Sequence, residues 1–140
     1  MLSGMISAVS HPINLDTVTK TTVIGEGSGT NLGSDDTNNI AIGYNTLDNT
    51  SSGEALGNIA IGRDVLGALV GSDTGDECND NIGIGYDALH TLKIGNGNVA
   101  IGNLAMATVG ATSGSGDSDG SEKMNVAIGK SSLYLMDNKY

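Results

Sequence analysis

The stretch Asn39-Ile40-Ala41-Ile42-Gly43 sets the pattern of this 140-residue sequence, because closely similar pentads return four more times. Each pentad begins with Asn, carries Ile or Val at its second position, Ala or Gly at the third, Ile at the fourth and Gly at the fifth. The other copies are Asn58-Ile59-Ala60-Ile61-Gly62, Asn81-Ile82-Gly83-Ile84-Gly85, Asn98-Val99-Ala100-Ile101-Gly102 and Asn125-Val126-Ala127-Ile128-Gly129. We expect a sixth, degenerate copy at Val23-Ile24-Gly25.

The spacing of the pentads predicts a solenoid. Their glycines are separated by 19, 23, 17 and 27 residues, which is too variable for a coiled coil. A solenoid keeps one core strand in each rung and accepts insertions at a corner, here expected at Gly71–Asn79 and Ala111–Lys123. A further apolar residue follows each pentad glycine at the fourth position: Leu47, Leu66, Leu89, Met106 and Leu133.

Each pentad position has a predicted role. Side chains of a strand alternate between its faces, so the second and fourth positions share one face, which we expect to be buried. The small third residue predicts that another backbone passes close to the opposite face. Glycine at the fifth position indicates a positive φ or a close backbone approach. The leading Asn either closes a turn or forms a ladder with the Asn of neighbouring rungs.

Composition favours association of several chains. The sequence has 22 Gly, no Phe and no Trp, so a single chain would have a thin core. We therefore expect identical chains to share one core. A short parallel stack exposes an unpaired edge strand at each end, and solenoids usually cap such edges. We expect a capping or docking segment at 1–20, the repeat domain at 21–136 and a tail at 137–140.

The pentads resemble the repeats of the heads of trimeric autotransporter adhesins, which fold as a left-handed parallel β-roll. They are closer to phage fibre segments of the form Asn-x-Ala-Ile-Gly-Tyr-x-x-Leu, as in Asn39–Leu47 and Asn81–Leu89. The resemblance covers roughly residues 21–136. It implies an all-β, homotrimeric attachment module in which three chains pack around a common axis.

On this basis we expect a non-enzymatic virion structural protein, either a tail fibre or a capsid decoration module, that attaches to a host surface. Its partners would be other virion proteins and a host cell-surface glycan or protein. An alternative is the head fragment of a bacterial adhesin on the cell surface. A left-handed β-helix acyltransferase fits less well, since the apolar pattern does not recur every six residues.

Charge and hydropathy exclude some partners. Six Lys and Arg against 16 Asp and Glu give a net charge of −10, which repels nucleic acid and anionic membranes. No stretch approaches the roughly 20 apolar residues of a membrane-spanning helix, so membrane insertion is not expected. Cys78 is the single cysteine and is expected to be an inert free thiol.

The sequence predicts no catalytic residue and no cofactor. His11 and His90 have no partner at metal-ligand spacing. Acidic residues cluster in both insertions, and Asp117, Asp119 and Glu122 are calcium candidates, with a solvated acidic loop as the alternative. The residues directly after the strand glycines, Tyr44, Arg63, Tyr86 and Lys130, are expected at the surface. Tyr44 and Tyr86 would contact a receptor or pack over the neighbouring rung.

Overall fold

The computed structural model describes residues 13–16, 19–50, 54–69, 78–109 and 122–136. Within these residues the chain is all-β and has no helix. Its strands are β1 (Ile13–Asp16), β2 (Thr21–Ile24), β3 (Ile40–Tyr44), β4 (Ile59–Arg63), β5 (Ile82–Tyr86), β6 (Gly95–Asn96), β7 (Val99–Ile101), β8 (Thr108–Val109), β9 (Glu122–Lys123), β10 (Val126–Ile128) and β11 (Leu135–Met136).

The pentads stack into a parallel β-solenoid. The main sheet has the order β1-β2-β3-β4-β5-β7-β10, and every pair from β2 to β10 is parallel. Each pentad position lies beside the same position of its neighbour, for example Ala41 beside Ala60. The chain therefore makes about four turns between β3 and β10, and the predicted stacking of the pentads is confirmed.

The degenerate pentad is also part of the stack. In β2, Val23 pairs with Ala41 and Ile24 pairs with Ile42, so residues 23–25 form a further rung in the same register. On its outer edge β2 pairs with β1, which runs antiparallel to it. Part of the segment that was expected to cap the N-terminal end thus lies along the first rung.

Two short sheets form other sides of the coil. Strand β6 pairs with β9, and β8 pairs with β11, both in parallel. Strands β6 and β9 each begin three residues before the Asn of one of the last two pentads. Strands β8 and β11 each begin six residues after the Gly of the same two pentads. The predicted insertions at Gly71–Asn79 and Ala111–Lys123 lie mostly outside the described residues.

The core of the coil is on the alanine side of the pentads. Ala41, Ala60 and Ala100 are fully buried, whereas the isoleucines of the pentads are partly exposed and lie outside the core cluster. Our prediction that the second and fourth positions are buried is therefore wrong for the single chain. The coil is narrow, and leucines from its other walls fill it, so only a small third residue fits on the inside.

Gly83 shows why the third residue is small. A Cβ added to Gly83 would lie 2.5 Å from Cγ1 of Val65 in the previous rung. The residues equivalent to Val65 in the two following turns are Ala88 and Ala105. The pentads that follow them carry Ala, not Gly, at the third position. At Gly83, therefore, the atom that leaves no room for a Cβ belongs to a side chain inside the coil, rather than to the passing backbone that we expected.

The apolar residues after the strands are held in left-handed turns. Leu47, Leu66 and Leu89 are fully buried and have φ values of 50°, 52° and 53°. The left-handed conformation costs such a residue roughly 1–2 kcal/mol, and full burial of a leucine side chain returns roughly 1.5–3 kcal/mol. Residues 64–69 are not helical, because Asp64 and Leu66 both have positive φ.

The pentad glycines meet both requirements that the sequence suggested. Gly43 and Gly62 have φ values of +140° and +137°. A Cβ on either residue would overlap the carbonyl oxygen of the glycine in the next rung. Both the backbone conformation and the approach of the next rung therefore exclude a side chain.

We expect Gly62→Ala to lower the free energy of unfolding by more than about 3 kcal/mol, because steric overlap adds to backbone strain. Gly129→Ala is the matched variant: its φ is +120°, but none of the described atoms lies within 4 Å of the added Cβ. It should cost only the strain, roughly 1–3 kcal/mol. Urea denaturation followed by circular dichroism measures both values, and equal losses would contradict the role of the next rung.

Candidate functional site

A ladder of asparagines runs through the interior of the solenoid. The side-chain oxygen of Asn39 accepts hydrogen bonds from the backbone nitrogen and Nδ2 of Asn58, at 2.8 and 3.3 Å. Asn58 accepts the same two bonds from Asn81, at 3.0 and 3.1 Å. The pattern continues through Asn98 to Asn125. Of the two roles predicted for the leading Asn, the structure shows the ladder.

The ladder also ties the strand to the opposite wall of each rung. Nδ2 of Asn39 donates to the carbonyl of Ala55, and Nδ2 of Asn58 donates to the carbonyl of Cys78, both at 2.7 Å. No buried side-chain nitrogen or oxygen within the described residues lacks a hydrogen-bond partner. These buried amides are therefore used for stacking.

We expect Asn58→Ala to destabilise the protein strongly. It removes the acceptor of the Asn81 backbone N–H and the donor to the Cys78 carbonyl, and each buried group left unpaired costs roughly 1–3 kcal/mol. Asn103→Ala is the control, because Asn103 is exposed at the surface of the same solenoid. Thermal unfolding should show a large fall in midpoint for the first variant only; a similar fall for both would refute the ladder's role.

The outward side of the main sheet is a continuous apolar surface, which we call the isoleucine face. It consists of two columns, in register from rung to rung: Thr22, Ile40, Ile59, Ile82, Val99 and Val126, and Ile24, Ile42, Ile61, Ile84, Ile101 and Ile128. None of the described strands packs over it. Exposure rises at the last rung, to 62% for Val126 and 67% for Ile128.

A second surface lies at the corner where the strands end, and we call it the aromatic corner. It consists of Tyr44, Arg63 and Tyr86, which occupy the same position in three successive rungs. Cζ of Arg63 lies 5.6 Å from the centroid of the Tyr44 ring and 5.4 Å from that of Tyr86. Both rings pack on the neighbouring rung, as one of our alternatives proposed, and they still remain 43% and 40% exposed.

Arg63 and the two tyrosines were all expected at the surface, but contact between them was not predicted. The signal was present, because alignment of the pentads by their glycines puts the three residues in one column. Strands in parallel register bring such residues side by side.

Acidic and polar side chains flank the aromatic corner. Nε of Arg63 donates to Oδ2 of Asp64 at 3.0 Å, and Nδ2 of Asn45 donates to Oδ1 of the same carboxylate at 3.3 Å. His90 places its Nδ1 2.9 Å from the carbonyl oxygen of Asp64 and 3.9 Å from Oδ1 of Asp87. The charge of Arg63 is thus balanced locally by carboxylates.

Asp48 lies beside this cluster. Burial raises the pKa of its carboxyl group above the ordinary value, and the nearby negative charge of Asp64 raises this pKa further. A hydrogen bond from its own backbone N–H and the proximity of His90 act in the opposite direction. Because the folded pKa is raised, the protonated form favours folding, and this contribution is lost as the pH rises through the folded pKa.

We therefore expect Asp48→Asn to stabilise the protein slightly at pH 7, where the carboxylate is charged, and to have no effect near pH 3. Asp35→Asn serves as the control, since Asp35 is exposed. Urea midpoints at the two pH values measure the difference. A gain of equal size at both pH values would show that desolvation of the charge is not its cause.

The remaining candidates form no additional site. Asp117 and Asp119 lie outside the described residues, as does His11, and the side chain of Glu122 is not described. Across the described ranges, no three His, Cys, Asp or Glu side chains are grouped so that they could hold a metal ion. Cys78 is buried, and its Sγ donates a hydrogen bond to the carbonyl oxygen of Lys93 at 3.1 Å.

A small recess of about 100 Å³ lies near the N-terminal end and is lined in part by Thr21 and Asp36. The Asp36 carboxylate accepts hydrogen bonds from the backbone nitrogens of Gly33 and Ala55, at 2.7 and 2.8 Å. It also accepts one from the hydroxyl of Thr50 at 3.3 Å. Its oxygens therefore hold the surrounding loops in place.

No protein-family model, curated protein or solved structure matches this chain. In the part of the chain that the structure describes, no helix is long and apolar enough to cross a membrane. The isoleucine face and the aromatic corner are surfaces of the described residues through which the protein can contact a partner.

Proposed function

We propose that this chain is a non-enzymatic structural protein of a virus particle, a homotrimeric fibre or capsid decoration module that attaches to a host surface. The observation that carries the proposal is the isoleucine face. Apart from Thr22 its side chains are all Ile or Val; they are partly exposed in the inner rungs and exposed in the last one. A continuous apolar surface of this kind marks an interaction site.

The isoleucine face suits association with identical chains. Its side chains stand in straight columns, about 4.8 Å apart along the stack, so the surface is regular and repeats from rung to rung. Burial of what remains exposed would stabilise the assembly by roughly 0.3–1.5 kcal/mol per side chain. Summed over the two columns, this term is large enough to offset much of the entropic cost of association.

Three chains around one axis would bury this face on every protomer and close the assembly. Closed cyclic symmetry is the usual solution for homo-oligomers. The trimer, and the left-handed coil that we expect with it, are supported by the resemblance of the pentads to phage fibre and adhesin-head repeats. The virion location and the attachment role are supported by the same resemblance.

Trimerisation would also make attachment multivalent. Each corner of the solenoid would occur three times on one rigid body, so weak single contacts would reinforce one another through a high effective concentration. The aromatic corner and the predicted insertions are the parts that would face a partner, because the isoleucine face would be enclosed.

The mass of the purified protein in solution tests this proposal. We expect three times 14.1 kDa by light scattering. Ile61→Asp, in the middle of the isoleucine face, should convert the trimer to a folded monomer, because a charge cannot be buried there without a partner. Asn103→Asp, exposed and outside that face, should leave the trimer intact.

A folded wild-type monomer would overturn the trimer. A trimer that Ile61→Asp leaves unchanged would instead show that the isoleucine face is not the surface through which the chains associate. Circular dichroism of each variant distinguishes dissociation from unfolding. If Ile61→Asp does not fold, the wild-type mass still decides the oligomeric state, and Ile128→Asp in the more exposed last rung tests the face.

A further inference from the structure

We infer that the aromatic corner is a binding site for a neutral, hydroxyl-rich carbohydrate. This inference rests on the proposed attachment function and names the chemistry of the surface that the module would recognise. It is carried by the unused donors, the exposure and the charge environment of Tyr44, Arg63 and Tyr86.

The corner offers polar groups that the described part of the protein does not use. Nε of Arg63 donates to Asp64, but its two Nη groups have no hydrogen bond to any described residue. The Arg63 side chain is 59% exposed. The hydroxyl groups of Tyr44 and Tyr86 likewise form no hydrogen bond within the described ranges. A guanidinium donor between two tyrosines is thus available to a ligand with several oxygens.

The backbone of the corner is held on both sides. The carbonyl oxygen of Tyr44 accepts from the Asp64 nitrogen at 2.9 Å, and that of Arg63 accepts from the Asp87 nitrogen at 3.0 Å. The carbonyl oxygen of Tyr86 accepts from the Leu104 nitrogen at 2.8 Å. The Arg63 guanidinium is further oriented by its cation–π contacts with the two rings and by its hydrogen bond to Asp64. Little conformational entropy would therefore be lost when a ligand binds, which favours affinity.

The charges select a neutral ligand. Asp64 balances Arg63, while Asp87 adds a negative charge beside them and the chain carries a net charge of −10. An acidic sugar, a sulfate or a phosphate would therefore be repelled at long range. A neutral sugar would accept hydrogen bonds from the Arg63 Nη groups and donate to the Asp87 carboxylate. The exposed parts of the tyrosine rings would cover its apolar C–H surface.

The experiment titrates the full-length protein with neutral trisaccharides, maltotriose, mannotriose and galactotriose, and with the anionic sugar sialyllactose. Saturation-transfer NMR and shifts of the tyrosine ring signals report binding. We expect at least one neutral trisaccharide to bind saturably and to shift the Tyr44 and Tyr86 signals. Sialyllactose should bind at least ten times more weakly.

Variants locate the site. Arg63→Lys keeps the charge but loses the planar donor group, and Tyr86→Ala removes one ring, so each should weaken binding by about tenfold. Tyr134→Ala is the matched control, since Tyr134 is 41% exposed but lies outside the corner. Tyr86→Phe, which keeps the ring, provides a second test if Tyr86→Ala does not fold, and should weaken binding less than Arg63→Lys.

The inference is overturned if none of the neutral trisaccharides binds, if sialyllactose binds more tightly, or if Tyr134→Ala weakens binding as much as Arg63→Lys. Binding of a host protein at the corner in place of a sugar would also overturn it. The mass of the same sample separates the two proposals. A trimer without sugar binding refutes only the carbohydrate site, whereas a monomer refutes the trimeric module.

Discussion

The close approach of successive rungs at the pentad glycines is the constraint on which the rest of the structure depends. The carbonyl oxygen of each following glycine fills the space that a side chain would need at Gly43 and Gly62. The rungs therefore meet in one register only, and that register aligns every other position. The asparagine ladder, the alanine-lined core and the isoleucine face are all consequences of this alignment, because a shift of one residue would exchange the two faces of the strand.

Much of the fold could be predicted from the pentads alone. The recurrence of Asn, Ile and Gly at fixed offsets predicted the parallel stack and the degenerate rung at residues 23–25, and the structure confirms both. The same recurrence made the asparagine ladder one of the two roles expected for the leading Asn, since a buried amide repeated in register can donate to and accept from its counterpart. The recurrence of the pentads reveals these features directly, because they depend only on which residues occupy the same position in successive rungs.

Periodicity did not reveal which face is enclosed. Alternation separates Ile42 from Ala41, but it does not say which of the two points into the coil. The size of isoleucine suggested burial, whereas the narrow interior is already filled by Leu47, Leu66 and their equivalents. The aromatic corner was missed for another reason. Tyr44, Arg63 and Tyr86 were expected at the surface because each follows a strand glycine, but they differ in residue type, so the repeat did not indicate that Arg63 contacts both rings.

The position of Val65 against Gly83 has a consequence for how such a molecule changes length. Removal of residues 44–62 would join Gly43 directly to Arg63 and bring Asn39 beneath Asn81, with Val65 still opposite Gly83. The chain can therefore be shortened or extended by whole coils with the register of the remaining pentads kept, and the local adjustment falls on the loop at Asp36, which loses its partners Thr50 and Ala55. A gene encoding it could alter the reach of its product in discrete steps, each a multiple of one layer's thickness.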